Sequence, residues 1–171
     1  LIKQFGTQKI SNELLLKLKK ITGEDHFMLR RGVFFSHRDL NLILENYEKG
    51  KEFFLYTGRG PSGHTHIGHL VPWVFAKWLQ DKFDVNIYFQ LTDDEKFFSK
   101  QELTLDQTSS FALENALDFM ALGFNPKKTK IIINTKNIKT LYPIAAQVAK
   151  KINFSNTKAV FGFTNDTNVG M

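Results

Sequence analysis

Apolar residues recur at helical spacing from the start of the chain. Leu14, Leu18 and Ile21 share one face between Ser11 and Ile21, behind a serine suited to an N-cap and ahead of Gly23, suited to a left-handed close. A second helix is predicted after Ser36 as its cap, with Asp39 in the box position and Leu40, Ile43 and Leu44 inward. The run Phe53-Phe54-Leu55-Tyr56 makes 51–57 a buried strand. From about His69 the stripe Leu70, Val71, Val74, Phe75, Trp78 and Leu79 predicts a helix, with Pro72 in its first turn, where no amide bond is lost. Residues 85–91 read as the next strand. Thr104 and Gln107 form a capping box for a helix running to Gly123. A third strand is expected over 130–134, a helix over 142–151 and a short helix after Asn153.

Strand–helix–strand–helix–strand is the pattern of an α/β protein with a parallel, right-handed sheet. Ligands in such sheets bind beyond the carboxyl ends of the strands. Thr57 and Leu91 mark two of those ends.

Composition adds a folded core and removes several options. The 171 residues are 42% hydrophobic and include 17 phenylalanines, which excludes a disordered chain. There is no cysteine, so disulfides and thiolate metal sites are excluded. No apolar stretch approaches membrane-span length, and the first residues resemble neither a signal nor a transit peptide. The net charge of +6 fits a lysine-rich solvated surface. It also fits attraction to a nucleic acid or to nucleotide phosphates, and charge alone does not choose.

The candidate chemistry lies in 57–70, between the first strand and the helix after it. A glycine-rich turn there lets the backbone approach a ligand, and free amides at a helix start point at an anion. His66 and His69 flank Gly68, so both imidazoles can serve one small volume. A helix start with solvated imidazoles is the plain alternative. His64, His66 and His69 also suggest imidazole ligation of a metal, but no Asp, Glu or Cys stands in the stretch, and no metal site is expected.

His66-Ile67-Gly68-His69 matches the HIGH signature of class I aminoacyl-tRNA synthetases. Thr57 to Ser62, Thr92-Asp93-Asp94-Glu95-Lys96, Leu29 to Asp39, Lys77 to Asp81 and Phe161 to Thr164 extend the match. Together they resemble the tryptophanyl-tRNA synthetases of the eukaryotic and archaeal kind. The resemblance implies a Rossmann-type catalytic domain, here its first part over 51–171, preceded by a hairpin and helical extension over 1–50. Within that extension, 1–10 looks like the hairpin that folds over the nucleotide. A loop of the KMSKS type with its lysine and a helical anticodon-binding domain belong to the family and are not found in these residues.

The implied activity is ATP-dependent conversion of L-tryptophan to tryptophanyl-adenylate and its transfer to tRNA(Trp). Magnesium would arrive with ATP, and no tightly bound cofactor is implied. His66, His69 and Arg59 carry over as catalytic. Thr57, Gly58, Arg59, His66, Gly68 and His69 carry over as ATP-binding, with Gly68 leaving room for adenine or ribose. Tyr56 and Gln90 carry over at the indole and Glu95 at the substrate ammonium. The family further implies a cytoplasmic homodimer. The rivals are a tyrosyl-tRNA synthetase, a catalytically incompetent homologue acting as a tRNA-binding or regulatory module, and a small nucleotidyltransferase.

Overall fold

The computed structural model describes residue 2, residues 6–168 and residues 170 and 171. Two sheets are present among them. The smaller is an antiparallel ribbon of β1 (Gln8–Lys9) and β2 (Ser36–His37). The larger is a parallel sheet of β3 (Phe54–Arg59), β4 (Asn86–Leu91) and β5 (Thr129–Ile133), in that order.

Helices α1 (Asn12–Thr22), α2 (Phe27–Arg30) and α3 (Leu40–Glu48) precede the parallel sheet. Helix α4 (Ile67–Phe83) joins β3 to β4, and α5 (Asp93–Ser99) and α6 (Leu105–Ala121) join β4 to β5. Helices α7 (Ile138–Ala149) and α8 (Phe154–Phe161) follow. The expected α/β architecture with a parallel sheet is the observed one.

The helix ends follow local rules where the cap is a side chain within reach. Ser11 accepts the Leu14 N–H at 3.1 Å and Gly23 closes α1 in the left-handed region at φ 79°. Thr104 and Gln107 form the reciprocal box of α6. Asn153 caps α8.

Several local expectations are corrected. Ser36 does not cap a helix; it lies in β2, paired with Lys9. Asp39 holds the N-cap position of α3 in a left-handed conformation without a side-chain cap bond, and the His37 Nδ1 instead accepts the Leu40 N–H. Helix α4 begins at Ile67, within two residues of His69 as expected, but Pro72 then falls beyond the first turn and denies the Gly68 carbonyl its usual N–H partner. Its most buried side chains are Trp73, Ala76, Gln80 and Phe83, not the expected stripe. Helix α7 starts four residues earlier than the expected 142.

The buried strand expected over 51–57 is also revised. It starts at Phe54, extends to Arg59 and has one open face, with Phe54 and Tyr56 exposed. It is an edge of the described sheet, because β4 is the strand with partners on both sides.

The other face of the sheet makes the core. Ile87, Phe89 and Leu91 of β4 are fully buried beneath α4 and α6, as alternation along a strand covered on one side requires. Phe119 stacks on Phe89 at 3.8 Å between ring centroids, and Trp73 meets Phe89 edge-on at 5.2 Å. A second cluster ties the preceding helices to the sheet: Leu14, Leu18 and Leu44 pack with Phe83 and Val85. Trp78 donates its indole N–H to Glu24 at 2.7 Å, and Lys82 pairs with the same carboxylate at 3.1 Å. Those two partners, Trp78 first, hold Glu24 below the ordinary carboxylate range.

Of the hairpin expected over 1–10, residues 1 and 3–5 lie outside the described residues. Residues 8 and 9 pair with 36 and 37, so the ribbon closes through α1 and α2.

Candidate active site

The carboxyl ends of β3, β4 and β5 lie side by side. Pairing of Arg59 with Leu91 and of Leu91 with Ile133 brings the segments after them together. The turn from Gly60 to His66 leaves β3 and enters α4.

Arg59 shapes this turn. Its guanidinium donates to Thr65 Oγ1 at 2.8 Å, to the Gly63 carbonyl at 3.1 Å and to the His64 carbonyl at 2.9 Å. Asn115 of α6, fully buried, donates to the same Gly63 carbonyl at 3.2 Å. Burial lowers the Arg59 pKa, with Asp118 opposing, and a guanidinium so shifted remains a cation. The side chain that sequence reasoning aimed at phosphate thus spends three bonds on the loop.

His66 is the N-cap of α4, and its Nδ1 accepts the Gly68 N–H at 3.2 Å. His69 answers: its Nδ1 accepts the His66 N–H at 3.2 Å. The two rings lie 3.8 Å apart. A neutral imidazole that accepts at Nδ1 carries its proton on Nε2. Both histidines therefore present an Nε2–H donor on the ring edge away from the backbone, at the positive end of a 17-residue helix. Burial first, then the nearby Arg59 and His66, lower the pKa of His69, which favours this neutral form.

The glycines answer to neighbours within the chain. A Cβ on Gly58 would lie 2.3 Å from the Gln90 carbonyl oxygen, so glycine is needed for β3 to approach β4. A Cβ on Gly68 would meet the His66 ring at 3.0 Å. The room left at Gly68, assigned from sequence to adenine or ribose, borders that imidazole. Thr57 lies in β3, paired with Phe89 of β4.

On the open face, Tyr56 and Gln90 come together as expected, with the tyrosine hydroxyl donating to Gln90 Oε1 at 2.5 Å. Glu95 is held differently. Its Oε1 accepts from Lys96 at 2.9 Å and from Ser99, and its Oε2 accepts from Thr92 at 3.1 Å, beside Gly60.

Sequence reasoning missed the supports. Asp93 is fully buried and accepts from Ser109 and from both the backbone and the hydroxyl of Thr135. Asp94 accepts from Asn134 at 2.8 Å. In the stretch from Thr92 to Lys96 the resemblance gave a role to Glu95 alone, and none to these two acids. Their link to the segment after β5 spans about 40 residues of sequence and has no local signal.

His64, which was given no role, pairs its Nδ1 with Glu114 at 3.0 Å. Among the described residues no three His, Cys, Asp or Glu gather as metal ligands, and no helix is long and apolar enough to cross a membrane.

The fold recurs among known proteins. Residues 48–165 match the family model of tRNA synthetases class I (W and Y). Tryptophan–tRNA ligase of Saccharolobus solfataricus is 56% identical over 171 residues, covering 100% of this chain and 45% of the relative. The solved tryptophanyl-tRNA synthetase of Encephalitozoon cuniculi bound to tryptophan superposes with a TM-score of 0.93 at 39% identity, over 99% of this chain and 50% of that one. That of Giardia lamblia superposes with a TM-score of 0.92 at 44% identity, over 99% and 43%. The chain thus spans about half the length of the relatives it matches.

Proposed function

The chain belongs to the class I tRNA synthetases of the W and Y group, and from that premise we propose that it carries the phosphate turn and the indole pocket of a tryptophan–tRNA ligase. The whole protein activates L-tryptophan with ATP and passes the tryptophanyl group to tRNA(Trp). A carboxylate oxygen of tryptophan attacks the α-phosphorus, the bond to the bridging oxygen breaks, and pyrophosphate leaves. Such a transfer needs positioning and charge stabilisation more than covalent help.

His66 and His69 supply the charge stabilisation, each donating Nε2–H to phosphate oxygens as negative charge builds. Arg59 holds the turn and adds positive charge, while Thr57, Gly58 and Gly68 offer backbone to the nucleotide. Tyr56 and Gln90 read the single ring N–H of indole. Glu95 receives the substrate ammonium, which joins or replaces its present donors. Magnesium comes bound to the phosphates of ATP. The protein works in the cytoplasm as a homodimer, and tRNA(Trp) is its macromolecular substrate.

The reciprocal capping of His66 and His69 carries this reading. It fixes two outward donors at the start of a 17-residue helix. Replacing either histidine by alanine in the protein at its natural length is expected to lower tryptophan-dependent pyrophosphate exchange by ~10²–10³-fold, the scale of one preorganised donor. Tryptophan binding measured by calorimetry should stay near its original value. Unaltered exchange would remove the histidines from the reaction.

A further inference from the structure

One line of hydrogen bonds crosses all three strand ends. The Tyr56 hydroxyl donates to Gln90 Oε1 at 2.5 Å. Gln90 Nε2 donates to Asn134 Oδ1 at 2.7 Å, and Asn134 Nδ2 donates to Asp94 Oδ1 at 2.8 Å. The same Asp94 oxygen accepts the Glu95 N–H at 2.8 Å, which fixes it at the head of α5.

A carboxylate oxygen can only accept. Asn134 must therefore turn its amide nitrogen to Asp94 and its oxygen to Gln90. That choice turns the Gln90 nitrogen to Asn134 and its oxygen to Tyr56. Tyr56 has a single hydroxyl proton, and the line spends it on Gln90. What remains for a ligand is the lone pairs of the tyrosine oxygen, on a residue that is 64% exposed at the open face of the sheet.

We propose that Asn134, anchored by Asp94, is the positioning residue for ring recognition: it sets the sense of the line so that Tyr56 offers an acceptor and not a donor. The proposal rests on the tryptophan reading above and adds how the pocket prefers a ring N–H over a ring oxygen. With the line intact, a benzofuran ring brings an acceptor to an acceptor and leaves both unpaired, which a desolvated site penalises. With Asn134 gone, the Gln90 amide can flip and the Tyr56 proton can rotate outward. The oxygen analogue then finds a donor.

The test uses the protein at its natural length, with tryptophan and its benzofuran analogue as competing substrates in pyrophosphate exchange. Asn134→Leu removes the line at similar size. Asp94→Asn keeps the shape and removes the acceptor-only anchor, so it covers the case in which Asn134→Leu does not fold. Both variants should narrow the preference for tryptophan by about 10-fold, one hydrogen bond's worth of discrimination, and leave the KM for ATP and the melting temperature unchanged. A preference that stays intact in folded variants overturns the proposal and leaves the tryptophan reading standing. Equal losses towards tryptophan, its analogue and ATP would mark Asn134 as merely structural and overturn it too. A parent protein with no preference for the ring N–H would sink the tryptophan reading itself, and the proposal with it.

Discussion

An imidazole whose Nδ1 accepts a backbone N–H has only its Nε2–H left to offer a ligand. For His69 this state depends on pH. Its pKa is lowered below the ordinary 6.5 on folding, by burial first. The unfolded chain therefore takes up the proton before the folded one does. The sign follows: the contribution of this group to stability is full above 6.5 and is lost as pH falls through that value towards the lowered folded one. Protonation of Nδ1 also removes the acceptor for the His66 N–H. Exchange activity and melting temperature should both hold at pH 7 and fall together as the pH drops below 6.5, and His69→Asn should flatten the melting profile in that range. A melting temperature that rises on acidification would contradict the assignment.

Gly58 gives a second prediction at this scale. Alanine there sets a methyl 2.3 Å from the Gln90 carbonyl, so β3 must shift from β4. A loss of about 1–3 kcal/mol in urea unfolding is expected, the usual cost of overpacking, with a raised KM for tryptophan because Gln90 and Tyr56 part. A neutral Gly58→Ala would show that the strands can separate freely.

Among the elements, those with local signals were legible in the sequence. Ser11, Thr104 and Asn153 reach backbone donors within three residues of themselves, and their helices begin where the caps stand. Ser36 misled because its partner Lys9 lies 27 residues away, and strand pairing outcompeted the cap. The site divides in the same way. His66, Gly68 and His69 were readable as one short motif, and Tyr56 and Gln90 came from the resemblance. Asn134 and Asn115 were invisible, since each meets its partner across more than 40 residues.

The packing of α6 on β4 is testable by itself. Phe119 is fully buried between Phe89 and Phe124, with ring centroids at 3.8 and 4.1 Å. Phe119→Ala should cost about 3–5 kcal/mol in denaturant unfolding. A loss under about 1 kcal/mol would mean that the two stacks add nothing beyond surface contact.

Across the whole molecule, one face of the parallel sheet is covered by α4 and α6, and the other presents Phe54 and Tyr56. Helices α7 and α8 bury none of their side chains, and Tyr142, Ile144, Phe154, Val160 and Phe161 stand exposed. Apolar surface of this extent favours association. Residues 1–171 purified alone are expected to self-associate in analytical ultracentrifugation and to give no exchange above background. The chain spans about half the length of the relatives it matches, and exchange is proposed for the protein at its natural length. Exchange by this piece at the level of an intact ligase would place the whole catalytic apparatus within it.

The most direct measurement is amino-acid-dependent ATP–pyrophosphate exchange by the protein at its natural length, with tryptophan and tyrosine supplied separately. The structure sets the Nε2–H donors of His66 and His69 at the start of α4 and the Tyr56–Gln90 bond on the open face of the sheet, and the proposed function assigns the first to phosphate and the second to the indole ring. Exchange should therefore proceed with tryptophan and stay at background with tyrosine. Exchange with tyrosine would contradict the reading of the ring pocket, and exchange with neither would contradict the reading of the turn as catalytic.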